Sequence, residues 1–75
     1  EPLAKEIKTT EALIERLRQR IGAIESRLAD PALYEKEPGK AADLTKERGE
    51  LAGKLSVQED RWLALSAEYE EALAA

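Results

Sequence analysis

The stretch from residue 3 to residue 28, LAKEIKTTEALIERLRQRIGAIESRL, decides the fold. Its apolar residues and one threonine recur at steps of four and three residues in turn. In order they are Leu3, Ile7, Thr10, Ile14, Leu17, Ile21, Ile24 and Leu28. This is the heptad pattern, in which the first and fourth positions, called a and d, form the contact stripe of a coiled coil. With Ile7 at an a position, the pattern predicts one helix over about residues 3–29.

The same spacing resumes after residue 38 and predicts a second long helix over about residues 39–73. Its a and d positions are Ala41, Leu44, Arg48, Leu51, Leu55, Gln58, Trp62, Leu65, Tyr69 and Ala72. Two of them, Arg48 and Gln58, are polar. We expect their polar groups to reach out of the contact stripe toward water.

The segment 30–38 between the two helices carries the turn signals. Asp30 is a good N-cap and Pro31 suits the first helical position, so the pair ends one helix and opens a short helical turn. Pro38 and the glycine after it launch the second long helix. We expect Leu33 and Tyr34, in the turn, to fold back onto the end of the hairpin. The alternative for Tyr34 is an exposed aromatic side chain at the tip, where it could stack on a base or contact a partner.

Two amphipathic helices joined by a short linker are expected to pack antiparallel. The predicted fold class is therefore all-α, an antiparallel two-helix coiled-coil hairpin with a short helical turn in the linker, and residues 1–75 form a single domain. One register matches a with d positions throughout: it pairs residues whose numbers add to 72, such as Leu17 with Leu55, and sets small Thr10 against large Trp62. A register shifted by one heptad improves some charge pairs but leaves Leu28 without a partner.

Composition excludes most kinds of catalytic site. The 75 residues include neither cysteine nor histidine, which removes disulfides, thiolate metal sites and the commonest general base. No apolar run reaches the ~18–20 residues of a membrane span. Two thin helices also offer no pocket that would raise the pKa of a carboxyl group for acid–base work. We therefore predict no catalytic residue, no metal site and no cofactor in this chain.

Charge is the feature that points toward a ligand. Lys and Arg number 12 against 16 Asp and Glu, a formal net charge of -4, which argues against a nucleic-acid partner. The register sorts these charges onto two sides of the helix pair. We name the side bordered by g positions, which precede a, the basic flank; its basic residues are Arg20, Arg27, Lys54, Arg61 and, toward the linker, Lys40. We name the opposite side, bordered by e positions, the acidic flank; it carries Glu11, Glu25 and Glu59 with Arg18.

The basic flank supports two interpretations. Like charges facing each other across the contact stripe, such as Arg20 and Lys54, do not stabilise folding, and a phosphate backbone would relieve their repulsion. Glu47 is the one acid in the central part of this flank, where it can pair with Arg27. Charge on a coiled coil also serves solubility alone. The residues alone are therefore compatible with two interpretations of the basic flank, a nucleic-acid contact and a solvated surface without a ligand.

Two stretches resemble a known family. They are RLADPALYEKEPGKAADL, residues 27–44, and EDRWLAL, residues 59–65. Together they resemble the C-terminal domain of ABC-F ATPases, the Uup type especially, most specifically in the turn from Leu28 to Tyr34 and in Trp62. In that family two ABC ATPase domains precede a linker and a C-terminal coiled-coil hairpin.

The resemblance implies a cytoplasmic protein without membrane domains that acts on ribosomes or translation. It implies that the hairpin binds DNA in Uup-like members and contacts ribosomal RNA in others. It also places ATP and magnesium in the upstream domains, so this fragment should hold no cofactor.

The predicted function is a non-catalytic C-terminal accessory module of an ABC-F protein. We expect it to be a monomeric hairpin that contacts DNA or ribosomal RNA weakly and non-specifically through the basic flank, with the upstream ATPase domains as further partners. The alternative is a protein-interaction or dimerisation coiled coil, whose contact residues would be Leu13, Leu63 and Leu73.

Overall fold

A computed structural model describes residues 2–75 and contains three α-helices. They are α1 over Pro2–Leu28, α2 over Pro31–Lys36 and α3 over Pro38–Ala74. The described residues form no strand. The fold is all-helical, as predicted. Both long helices begin one residue earlier than the spacing suggested, at a proline, because proline is favourable in the first helical turn, where its missing N–H has no intrahelical partner.

The two long helices lie beside each other. The Cα atoms extend over 59 × 15 × 14 Å. The 37 residues of α3 account for about 55 Å of that length at the usual helical rise. Side-chain hydrogen bonds link Glu11 of α1 to Trp62 of α3, and Glu25 of α1 to Arg48 of α3. As the residue number on α1 increases from 11 to 25, the residue number of its partner on α3 therefore decreases from 62 to 48.

The heptad residues of α1 face α3. All eight are buried or half-buried, whereas every charged residue of α1 is exposed. Of the ten a and d residues of α3, only Arg48 and Ala72 are exposed. Thr10, the one polar residue in the α1 stripe, is 4% exposed, and its hydroxyl donates to the Glu6 carbonyl oxygen at 2.8 Å. Burial of this hydroxyl therefore leaves no unsatisfied hydrogen bond.

The best-packed part of the core lies at the linker end. Ile24 is completely buried and forms a cluster with Leu33, Ala41 and Leu44, against which Leu28 and Leu51 pack. Leu28 therefore has apolar neighbours from this cluster.

The short helix α2 closes this core. The Asp30 side chain accepts a hydrogen bond from the Ala32 N–H at 3.0 Å, which caps α2 as predicted. Leu33 folds back into the core, but Tyr34 is 50% exposed, so the expectation that both would fold back is wrong for Tyr34. Consecutive helical residues point about 100° apart, because a turn takes 3.6 residues. A six-residue helix that turns Leu33 inward therefore turns Tyr34 toward solvent.

Ile24→Ala should lower the free energy of unfolding by about 2–5 kcal/mol, because it removes a fully buried side chain from the tightest part of the core. Urea unfolding followed by circular dichroism measures this loss. Leu63→Ala is the matched control, since Leu63 is 60% exposed and should cost far less. Ile24→Val should cost about 0.5–1.5 kcal/mol. Equal losses at Ile24 and Leu63 would contradict the placement of the core.

Gly49→Ala should stabilise the domain by about 1 kcal/mol, because glycine weakens a helix interior and no packing requires it here. A Cβ built at Gly49 meets no heavy atom within 4 Å. The same unfolding assay measures the gain, and Ala64→Gly, at an exposed position of the same helix, should give a loss of similar size. A destabilising Gly49→Ala would show that the backbone needs glycine at this position.

Candidate nucleic-acid interface

All five residues predicted for the basic flank are exposed. Arg20 and Arg27 lie on α1, whereas Lys40, Lys54 and Arg61 lie on α3. All five occupy g positions, which recur every seven residues along each helix, or about every two turns. The heptad spacing thus positions these side chains along one side of the contact between α1 and α3.

Arg20 does not face Lys54; it forms an ion pair with Glu47. Its Nε–H donates to Oε2 of Glu47 at 2.9 Å, and its Nη2–H donates to Oε1 at 3.0 Å, a two-point contact. The expectation that Glu47 would pair with Arg27 is therefore wrong. Arg20 occupies the g position of α1 that faces Glu47 on α3. Arg27 occupies the next g position of α1, about two turns nearer the linker.

This ion pair fixes the order of charges along the basic flank. One heptad step from Arg20 and Glu47 toward the linker leads to Arg27 on α1 and Lys40 on α3. One step in the other direction leads to Leu13 and Lys54, which line one groove, and a further step leads to Glu6 and Arg61, which line the adjoining groove. The row of cations predicted for the basic flank is thus interrupted in its middle by the ion pair of Arg20 with Glu47, which has no net charge.

A group of cations lies at the linker end of the basic flank. Arg27 lines a groove of about 640 Å³ together with Lys36, Asp30 and Glu37 from the region of α2. The Lys40 ammonium lies 3.8 Å from a Glu37 carboxylate oxygen, an exposed contact that stabilises little. Sequence analysis missed Lys36, although its place in the last turn of α2, beside the linker, was a usable signal.

The acidic flank is bonded more completely. Arg18 pairs with Glu59 at 2.8 Å, and Arg48 pairs with Glu25 at 2.7 Å. The Trp62 indole N–H donates to Glu11 at 3.0 Å. Arg48 therefore extends its guanidinium out of the contact stripe to a carboxylate, as expected for an arginine at an a position. The hydrogen bond of Trp62, by contrast, was not predicted from the sequence.

The three exposed leucines of the alternative interpretation do not form one patch. Leu13 lines a groove on the basic flank, with Lys54 and Val57. Leu63 lines a groove of about 660 Å³ on the other side, with Trp62 and Glu59. Leu73 is 69% exposed near the end of α3 and lines neither groove. A single partner surface would therefore not cover all three.

Within residues 2–75, no group of three or more His, Cys, Asp or Glu is placed to hold a metal ion. In the same part of the chain, no helix combines the length and apolarity needed to cross a membrane.

The described residues form two long helices and a short connecting helix, with charged residues along two flanks. The sequence matches the family model described as ABC transporter C-terminal domain over residues 3–67. The chain belongs to this family, which makes it an accessory module of an ABC protein. No curated protein and no solved structure matches the chain.

The Arg20 Nε–H should give a slowly exchanging signal in ¹H–¹⁵N NMR spectra that Glu47→Gln removes, because the carboxylate accepts this proton. The hydrogen bonds from Arg20 hold the pKa of Glu47 below its ordinary value. A lowered pKa favours the charged form, so acidification should leave the pair intact at the ordinary pKa of a glutamate, about 4.3, and break it only at lower pH. Loss of the signal at or above that pH would contradict the contact. The exposed Arg16 provides the comparison signal.

Proposed function

We propose that the chain is an antiparallel two-helix coiled-coil hairpin that serves as the non-catalytic C-terminal module of an ABC-F protein of the Uup type. In this role it contacts DNA or ribosomal RNA through the phosphate backbone. The contact residues are Arg27, Lys40, Lys54 and Arg61, with Arg20 joining them when a phosphate displaces Glu47. The arrangement of charges on two opposite flanks is the observation that carries the proposal.

The ion pairs support the hairpin register. If the residue numbers of facing a and d partners add to 72, the residue numbers of facing g residues add to 67 and those of facing e residues add to 77. Arg20 with Glu47 fits the first relation and Arg18 with Glu59 fits the second. The register shifted by one heptad would lower both sums by seven. Two independent ion pairs on opposite flanks therefore agree with one register.

Electrostatics supports weak and non-specific binding. Binding through phosphates releases condensed counterions, so affinity falls as salt rises, and the steepness increases with the number of contacts. The proposed flank supplies about four contacts to a chain whose net charge is -4. A shallow salt dependence and no base preference follow from this arrangement. The acidic flank would face away from the nucleic acid.

The rest of the role follows from the family. The upstream domains of the parent protein would bind ATP and magnesium, whereas this module would supply an arm about 60 Å long that reaches a nucleic acid. We propose a cytoplasmic location and a monomeric hairpin. A dimerisation or protein-interaction module is the second candidate, supported by the exposure of Leu13 on one side of the helix pair or of Leu63 on the other.

A triple charge reversal tests the flank. Arg27→Glu, Lys54→Glu and Arg61→Glu together should abolish detectable binding of labelled duplex DNA and RNA at 50 mM salt, because each removes a phosphate contact. Lys8→Glu, Arg18→Glu and Lys46→Glu together are the matched control, since they change net charge equally at exposed positions away from the basic flank. Equal loss in the two triple variants would show that only net charge matters. Retained binding in the first would exclude the flank.

Glu47→Gln should strengthen duplex binding by about three- to tenfold at 50 mM salt, because it frees Arg20 for one more phosphate contact. The slope of log affinity against log salt should steepen by about 0.9. Asp60→Asn changes net charge by the same amount at an exposed position on the outer side of α3 and should have a smaller effect without the change in slope. Equal effects of the two variants would contradict a role for Arg20.

Sedimentation at increasing protein concentration distinguishes the nucleic-acid module from a dimerisation module, because only the dimerisation module requires the chain to form a dimer.

A further inference from the structure

We propose that the part of the basic flank around Leu13 and Val57 is a docking groove for an acidic amphipathic helix of a partner protein. This inference goes beyond nucleic-acid contact. Only its last element, competition between the two ligands, rests on the proposed function, because the groove shares Lys54 and Arg61 with the proposed phosphate contact.

The floor of the groove is apolar. A cavity of about 330 Å³ is lined by Leu13, Leu17, Gly53 and Val57, together with Lys54 and Gln58. Leu13 is 38% exposed and Val57 is 63% exposed. Single exposed apolar side chains are common on protein surfaces, but two that line one groove with a buried leucine behind them form a contact surface. Val57 lies outside the a and d positions, so packing of α1 against α3 does not account for it.

Gly53 keeps the groove open. A Cβ built at this position meets no heavy atom within 4 Å, so the packing within the chain does not require glycine there. Glycine nevertheless costs about 1 kcal/mol relative to alanine in a helix interior. A helix that approaches α3 at this point would contact backbone where a side chain would otherwise project. The glycine thus supports the groove without defining it.

The groove continues along the flank past Leu13. A second cavity, of about 460 Å³, shares Leu13 and Gln58 with the first and is also lined by Lys5, Glu6 and Arg61. From Gly53 to Arg61 the α3 backbone advances about 12 Å. This length accommodates about two turns of a docked helix, which present two or three anchor residues at steps of three and four.

The rim selects an acidic occupant. Lys5, Lys54 and Arg61 border the two cavities, and within the described residues none of them forms an ion pair. Glu6 is the one acid on this rim. Carboxylates on the flanks of a docked helix would meet these three cations while its apolar residues cover Leu13 and Val57. Phosphates would use the cations but leave the apolar floor exposed, so the floor favours a protein helix over nucleic acid at this place.

A designed peptide tests the groove directly. The probe is a fluorescein-labelled, capped 14-residue peptide of leucine, glutamate and alanine, with leucines at steps of three and four and glutamates beside them. Anisotropy at 50 mM salt should show saturable binding. A peptide of the same composition with its leucines scattered around the helix should bind at least tenfold more weakly, and a version with lysine in place of glutamate should not bind. Equal binding of the scattered or lysine peptide would overturn the proposal.

Variants of the protein locate the peptide. Val57→Thr, which keeps the side-chain shape, and Leu13→Gln should each weaken binding about fivefold or more, and Lys54→Glu should do the same through charge. Leu73→Gln and Lys46→Glu are the matched controls and should stay within twofold, because these residues line neither cavity. Far-UV circular dichroism checks that each variant is helical. Unchanged peptide binding by Val57→Thr and Leu13→Gln would exclude the groove.

Two further outcomes complete the test. Duplex DNA should displace the peptide from the unaltered chain if both ligands use Lys54 and Arg61. Arg27→Glu should weaken DNA binding and leave peptide binding unchanged, so failure of one ligand does not imply failure of the other. If sedimentation shows a dimer that Val57→Thr disrupts and the peptide does not bind, a second copy of the chain occupies the groove and the proposal is wrong.

Discussion

The apolar stripe that α1 and α3 bury against each other is narrow, and it is the constraint on which the other features depend. It consists of residues at two positions in every seven, and most other residues of each helix are exposed. Because the spacing is regular, burial of the stripe also decides on which side each charged residue lies. Arg20 and Glu47 are brought together on one flank, and Arg18 and Glu59 on the other, only because the stripe between them is shared.

The stripe tolerates polar residues where their polar atoms find partners. Thr10 bonds to a carbonyl oxygen of its own helix, and Arg48 and Trp62 bond to carboxylates on the acidic flank. These bonds give the acidic flank a structural role, because its carboxylates satisfy groups that the stripe cannot. The basic flank has one such pair, Arg20 with Glu47, and otherwise has cations without carboxylate partners across the stripe among the described residues. This asymmetry distinguishes a supporting side from a side suited to a ligand.

Much of this was predictable from the sequence, because heptad spacing is a direct consequence of helix geometry. The partial or complete burial of all eight α1 stripe residues and the cap at Asp30 followed from the pattern. The orientation of Tyr34 did not, because two adjacent apolar residues in a six-residue helix give no periodicity to choose between them. The partner of Glu47 depends on side-chain reach across two helices, which spacing alone leaves open between Arg20 and Arg27. The groove at Val57 was missed because it lies outside the heptad stripe.

The central claim is that α1 and α3 pair antiparallel in the register whose partners add to 72, since the order of charges on both flanks depends on it. The chain has no cysteine, so disulfide cross-linking of double variants measures the register directly. Leu17→Cys with Leu55→Cys should form an intramolecular disulfide rapidly under mild oxidation, whereas Leu17→Cys with Arg48→Cys, the partner in the shifted register, should not. Rapid cross-linking of the second pair and not the first would contradict the account.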